Sequence, residues 1–525
     1  MVNEPAPSPD VAPGPPGEVA KSDGTGQLAT LPLGARIVES IQTVLTALML
    51  AFMFRAFFVE AFIIPTGSMA QSLLGQHGVL LCTTCGWEVD YGPGVVRADR
   101  PNEFIPPKQA FCPNCHAFIP VPEGRATYRA GDRILVHKWL YILGGPLRPD
   151  RWDVIVFRDP GNSTQNYIKR VVGLPGETIE IIDGDVYIQP PHADGFHIAR
   201  KTPAAQESLW FVVFDQSYLP TDPARSHQPP AWVPANPDRA PDVGWSGLDT
   251  RVIRHDAHDG IPREIVFAPI GSRYYLQDVY GYNHGGAGHY VGDARILAEV
   301  TATTGSGWLR WELVRDGQSF VAQLDSNGRL RLSTIPAGAG SVETTLATAE
   351  VSPLVDGRPH VAEFGHLDYR VYVRLDGREV LASTPAQYAP QVDDLRNSRR
   401  IAPLELRIAA KDLTLTMRGL RVDRDVHYVQ TANTLRGQAG NPFTLGDGEY
   451  FVLGDNSPDS VDSREWFHVG LHLQASLQCG AYRLGTVRAD QIVGKAFFVY
   501  LPGLLPIDGA DRWRIPDLGR MRFIR

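Results

Sequence analysis

The sequence predicts a mainly β protein assembled from several modules, and three observations predict it. Gly 51 and Pro 42 among 525 residues supply many turns, which favour short strands over long helices. Apolar, β-branched runs such as residues 153–157 (DVIVF) and 167–172 (YIKRVV) are punctuated by turn residues. At roughly 150 residues per domain, the length leaves room for three or four domains. With 43% hydrophobic and 21% charged residues, the composition excludes a mostly disordered, collagen-like or polytopic membrane chain. Lys and Arg number 50 against 58 Asp and Glu, a net charge of −8. That balance gives no electrostatic footprint for DNA or RNA, and no nucleic-acid partner is expected.

Residues 1–35 are Pro-rich and poor in large apolar side chains, a composition that cannot offset the entropy of ordering, so a disordered tail is expected. Residues 36–64 follow as a transmembrane anchor. Ser40 to Phe54 carry no charge, and Leu, Met, Ala and Phe cover every face of the helix that they would form, which argues against an amphipathic core helix. The run is shorter than the roughly 20 residues that spanning needs, so Arg55 would sit near an interface with its head among lipid headgroups. A buried helix and a cleaved signal peptide are the alternatives; the long polar tail and the lack of a small-x-small site count against cleavage.

Short strands are expected at 134–136, 153–157, 167–172, 178–182 and 186–188, with turns at Gly173-Leu-Pro-Gly176 and Asp183-Gly184-Asp185. A Pro-rich stretch at 220–241 precedes further strands near 308–313, 320–324, 330–332 and 368–375. In the last of these Tyr369, Val371, Val373 and Leu375 alternate with Arg370, Tyr372 and Arg374 before an Asp376-Gly377 hairpin turn. This region reads as a separate β-sandwich. Strands resume at 450–453 and 496–501, on either side of a polar cluster.

Ser68 lies in a Pro/Gly turn directly after the apolar segment. A serine hydroxyl needs a base to become a nucleophile. No histidine has the setting of a Ser-His-Asp triad, and no Gly-x-Ser-x-Gly elbow is present. Lys169, with apolar neighbours on both sides in 167–172, is the candidate base, because burial disfavours the charged ammonium and brings its pKa towards neutrality.

Five blocks in order carry a resemblance: Ile64-Pro-Thr-Gly-Ser-Met69; Gly131-Asp-Arg-Ile-Leu-Val136; Arg151-Trp-Asp-Val-Ile-Val-Phe157; Tyr167-Ile-Lys-Arg-Val-Val-Gly-Leu-Pro-Gly-Glu177; and Gly454-Asp-Asn-Ser-Pro-Asp-Ser-Val-Asp-Ser-Arg464. Together they resemble the type I signal peptidases, the leader peptidase family of membrane-anchored Ser/Lys proteases. The resemblance implies an antiparallel β catalytic domain of that type, made here of 65–81, 125–190 and 444–502. It implies Ser68 as nucleophile and Lys169 as general base, with no cofactor required for catalysis. Thr66 stands where the family has an oxyanion-hole hydroxyl, Ser460 where it has the serine that orients the lysine, and Asp462 and Arg464 where it has a bracing ion pair. Exported preproteins with small residues before the cleavage site, a lipid bilayer, and a single-pass location in the cell membrane with the catalytic domain on the extracytoplasmic side are implied as substrates and setting. The sequence departs from the family at Gln71 and Ser72, and at Ser457-Pro458-Asp459.

Two insertions interrupt this core. Residues 82–124 hold Cys82-Thr-Thr-Cys85 and Cys112-Pro-Asn-Cys115, four thiolates suited to a structural Zn²⁺ ribbon. Two disulfides, or a haem on Cys112-Pro-Asn-Cys-His116, are the alternatives. Residues 191–443 contain the β-sandwich, which is similar to concanavalin and laminin-G modules; its tryptophans suit a core better than a sugar platform. Residues 503–525 form a C-terminal tail. Two other functions compete with peptide cleavage at this stage: a membrane-tethered sandwich binding protein with a non-catalytic protease core, and another Ser/Lys self-processing protease.

Overall fold

The computed structural model describes residues 33–97, 100–122, 128–142, 144–219, 231–235, 244–268, 276–283, 285–338, 340–397, 404–506 and 514–525. Most of the expected Pro-rich tail, and much of the 220–241 stretch, lie outside these residues. The protein is mainly β, as the sequence predicts. It divides into two units, Met1–Ala56 and Phe57–Arg525.

The first unit is carried by α1 (Leu33–Phe57), in which Val44, Leu48, Met49 and Phe52 are among the exposed apolar side chains. The expected anchor over 36–64 is corrected here. The helix ends at Phe57, and Val59–Ile63 forms strand β1, paired antiparallel with Arg133–His137. Branched and aromatic residues in a short apolar run before Pro65 suit a strand as well as a helix, and a partner strand decides for the strand. Among the described residues, no helix is long and apolar enough to cross a membrane.

Within the second unit, three small hairpins follow β1: β2 (Gly78–Leu81) with β3 (Glu88–Tyr91), β4 (Val95–Arg97) with β5 (Arg100–Ile105), and β6 (Gln109–Phe111) with β7 (Phe118–Pro120). Then come β8 (Arg133–His137), β9 (Val154–Arg158), β10 (Asn166–Gly173), β11 (Thr178–Ile182) and β12 (Asp185–Gln189). Asp183 and Gly184, with φ of 51° and 83°, make the tight β11–β12 turn that the sequence predicts.

The inserted body contributes β13 (Gln277–Tyr280), β14 (Gly285–Tyr290) and two long strands, β15 (Ala294–Arg315) and β16 (Glu405–Arg424). These long strands pair antiparallel along most of their length and carry a sheet with its own core around Trp232, Trp311 and Phe364. Asp376 and Gly377 close a hairpin as expected, with φ of 50° and 76°. Tyr372, grouped by the alternation with Arg370 and Arg374, is buried and donates its hydroxyl hydrogen bond to Glu363.

The chain returns as β17 (Glu449–Leu453), β18 (Val487–Arg488), β19 (Ile492–Leu501) and β20 (Arg522–Phe523). One sheet runs β1-β8-β19-β9-β10-β17-β18, with β20 beside β19. Strands far apart in sequence therefore lie side by side, which brings β1, β10 and the loop after β17 to one site.

The boundary between sheet and insertion is not a clean cut. Phe211, Tyr280, Val426 and Tyr428 share a core cluster with Ile179, Ile181 and Phe451. Arg396 joins the two parts by an ion pair to Glu180 (2.5 Å).

Candidate active site

The turn after β1 carries Ser68 into a cleft of about 370 Å³ floored by Ile64, Ile134, Val156 and Ile168. Lys169 enters the same cleft from β10, and its Nζ lies 2.5 Å from Ser68 Oγ. Burial lowers the Lys169 pKa to about 8; the negative charge of Asp462 opposes that shift and the positive charge of Arg464 adds to it. Among the described residues no histidine lines the cleft. The arrangement can take the serine proton without an imidazole.

The loop after β17 is braced by its own buried side chains. Ser460 donates to Asp462 Oδ2 at 2.8 Å, and Arg464 grips both oxygens of the same carboxylate, Nε to Oδ1 at 2.8 Å and Nη2 to Oδ2 at 2.7 Å. Burial pushes the Asp462 carboxyl up, but the Arg464 guanidinium and the Gly454 N–H hold it below the usual carboxylate range. Gly454 has to be glycine: a Cβ there would lie 2.2 Å from Ser460 Oγ and 2.4 Å from the Ser68 carbonyl oxygen. Ser457, one of the departures noted in the sequence, accepts Arg464 Nη1 at 2.8 Å and the Val429 N–H at 2.8 Å, so it ties the loop down. Asp459, another departure, lines the cleft with a carboxyl raised by burial. Thr66 lines the cleft two residues before Ser68 and is exposed.

Several residues here escape sequence reasoning. Arg170, beside Lys169, is fully buried and forms a two-pronged ion pair with Asp455, Nε to Oδ1 at 2.8 Å and Nη2 to Oδ2 at 2.7 Å. Asn456 donates its backbone N–H to Ser68 O at 3.1 Å and its side-chain amide to Gly67 O at 2.9 Å. The only signal for these was their place inside the quoted blocks.

The comparisons follow the same residues. The family model for "Signal peptidase, peptidase S26" matches residues 116–222 and 397–501. Over these two segments the chain is similar to this signal peptidase family. The S26 match includes Lys169, Ser460, Asp462 and Arg464, while Thr66 and Ser68 precede it. Signal peptidase I of Rickettsia rickettsii (strain Sheila Smith) is 26% identical over 168 residues, 32% of this chain and 48% of that protein. Signal peptidase I of Rickettsia bellii (strain OSU 85-389) is 28% identical over 139 residues, 26% of this chain and 35% of that one. The chain thus spans about half or less of the curated signal peptidases it matches. Among solved structures, the laminarinase from Rhodothermus marinus covers 42% of this chain and 98% of its own, with 14% identity and a TM-score of 0.28. The CBM66 carbohydrate binding module from Bacillus subtilis covers 37% and 95%, with 12% identity and a TM-score of 0.24. Likenesses of that size carry no argument.

The four insertion cysteines converge. Cys82 Sγ lies 3.5 Å from Cys115 Sγ and Cys85 Sγ lies 3.6 Å from Cys112 Sγ, and all four sulfurs fall within 4.8 Å of one another. A disulfide needs about 2.05 Å, whereas tetrahedral Zn–S bonds of about 2.3 Å put sulfurs about 3.8 Å apart. The two knuckles repeat one backbone pattern: Gly86 N–H donates to Cys82 O at 2.8 Å and His116 N–H to Cys112 O at 2.9 Å, both at positive φ. Donor chemistry and spacing both fit a four-thiolate metal ion.

Proposed function

We propose that this chain is a serine endopeptidase that removes N-terminal signal peptides from exported preproteins. The observation that carries the reading is the 2.5 Å approach of Lys169 Nζ to Ser68 Oγ inside an apolar cleft. Neutral Lys169 takes the proton as Ser68 attacks the scissile carbonyl, the acyl-enzyme forms, and the lysine returns the proton to the leaving amine. Water then attacks the acyl-enzyme, with Lys169 again the base. Ser68 N–H and the Thr66 hydroxyl are the proposed oxyanion donors. Asp462, Arg464 and Ser460 hold the lysine side of the site. β1 ends the sheet and borders the cleft, so an extended peptide can pair with its free edge. The apolar floor suits small side chains at the two positions that face it.

A preprotein with a small-x-small site tests this directly. Wild-type protein should cut it, and Ser68→Ala and Lys169→Ala should each lower kcat at least a thousandfold; activity retained by either variant would sink the dyad.

Two further parts belong to the same reading. The cysteine cluster holds a structural Zn²⁺ that takes no part in the chemistry; about one equivalent of zinc should accompany the purified protein and be lost in Cys85→Ser/Cys112→Ser. The exposed apolar surface of α1 contacts the lipid of the cell membrane. Removing residues 33–56 should move the protein from the membrane fraction to the soluble fraction.

A further inference from the structure

The large insertion reaches the nucleophile itself. The turn between β13 and β14 places Tyr282 and Asn283 against the Ser68 turn. Tyr282 is buried with Ala70 and Leu74, its hydroxyl donates to Gln76 O at 2.7 Å, and its ring fills the space beside Gly67, where a Cβ would lie 1.9 Å from a ring carbon. The Tyr282 carbonyl also accepts the Gly92 N–H of the cysteine insertion at 2.9 Å. Asn283 pairs amide to amide with Asn456: Asn283 Nδ2 donates to Asn456 Oδ1 at 2.7 Å, and Asn456 Nδ2 donates back to Asn283 Oδ1 at 2.8 Å.

We propose that Asn283 is a positioning residue of the peptidase, supplied by the insertion, which aims the Ser68 N–H through Asn456 and Gly67. The Gly67–Ser68 peptide is planar and trans, so its C=O and N–H point in opposite directions. Asn456 holds that C=O with its side-chain amide, 2.9 Å away, and holds the next one, Ser68 O, with its backbone N–H. Fixing the Gly67 carbonyl therefore fixes where the Ser68 N–H points. A free amide on Asn456 could rotate away from Gly67; the reciprocal pair with Asn283 removes that freedom. Hydrogen bonds in series also polarise one another, which makes the Ser68 N–H a better donor as negative charge develops opposite it. Asn283 touches no reacting atom, and its effect passes entirely through Asn456.

The inference rests on Ser68 being the nucleophile, and one set of variants separates the two claims. If Ser68→Ala cleaves preprotein, the proposed function fails. With Ser68→Ala inactive, the positioning role is read from Asn283→Ala. Loss of a full oxyanion donor lowers kcat by about 10²–10³, and loosening one should cost about tenfold in kcat, with KM changed less than twofold. The pH midpoint of the reaction should stay in place, because Lys169 is untouched. In an Asn456→Ala background the Asn283→Ala change should cost nothing further. A kcat within twofold of wild type, or the same tenfold loss repeated in the Asn456→Ala background, overturns the proposal. Should Asn283→Ala fold poorly, the isosteric Asn283→Asp loses the bond donated to Asn456 Oδ1 and should likewise lower kcat at constant KM; an unchanged kcat in that variant overturns it equally.

Discussion

A lysine enclosed on every side is costly while it is charged. Lys169 has a pKa of about 8 in the folded chain against an ordinary 10.5. The folded value is the lower one, so the cost is fully present below pH 8 and fades as pH rises towards 10.5; near neutrality it is about 3 kcal/mol. Lys169→Met should therefore raise stability at pH 7 by up to about 3 kcal/mol while abolishing cleavage, and the gain should shrink in melts run at pH 10. The same pKa predicts that kcat/KM climbs about tenfold per pH unit below 8 and levels off above it. Lys169 stood out in the sequence because Tyr167, Ile168, Val171 and Val172 surround it in one apolar strand. Arg170 did not, since its partner Asp455 lies 285 positions away and no local pattern announces such a pair. Gly454 is equally silent in sequence terms. Gly454→Ala should cost most of the activity, because Ser460 Oγ and Ser68 O would have to move apart.

At the scale of elements, the Arg170–Asp455 pair fastens β10 to the loop after β17. Breaking a buried pair by removing one partner costs about 3–5 kcal/mol, whereas replacing both by apolar residues is often neutral. Arg170→Met alone should thus lower the unfolding free energy by that amount, and Arg170→Met/Asp455→Leu should recover most of it in denaturant melts. The strands of the peptidase sheet were readable from β-branched runs and turn residues, and the Asp183-Gly184 and Asp376-Gly377 turns were readable from the φ values that they need. β1 was not readable. Val59 to Ile63 continue the apolar run of α1, and only pairing with β8 separates strand from helix. The convergence of the cysteines was foreseen from two Cys-x-x-Cys pairs, because a knuckle of that spacing turns both sulfurs to one side.

For the molecule as a whole, the large insertion shares its core with the sheet that it interrupts. Val426, Tyr428 and Val429 lie before residue 444, yet Val426 and Tyr428 pack with Ile179 and Phe451, and the Val429 carbonyl accepts Arg464 Nη1 at 2.6 Å. Excising 191–443 should accordingly yield insoluble protein, and calorimetry of residues 57–525 should show one cooperative transition instead of two. Composition and motif order point to an insertion but cannot show where its packing ends, because burial across a boundary leaves no local signature. The wall of the cleft formed by Pro93, Gly94 and Phe104 comes from the cysteine insertion. For inhibitor chemistry this offers a handle: a serine-directed compound extended from Ser68 towards Phe104 would gain contacts that the peptidase sheet itself does not supply, and so a route to selectivity.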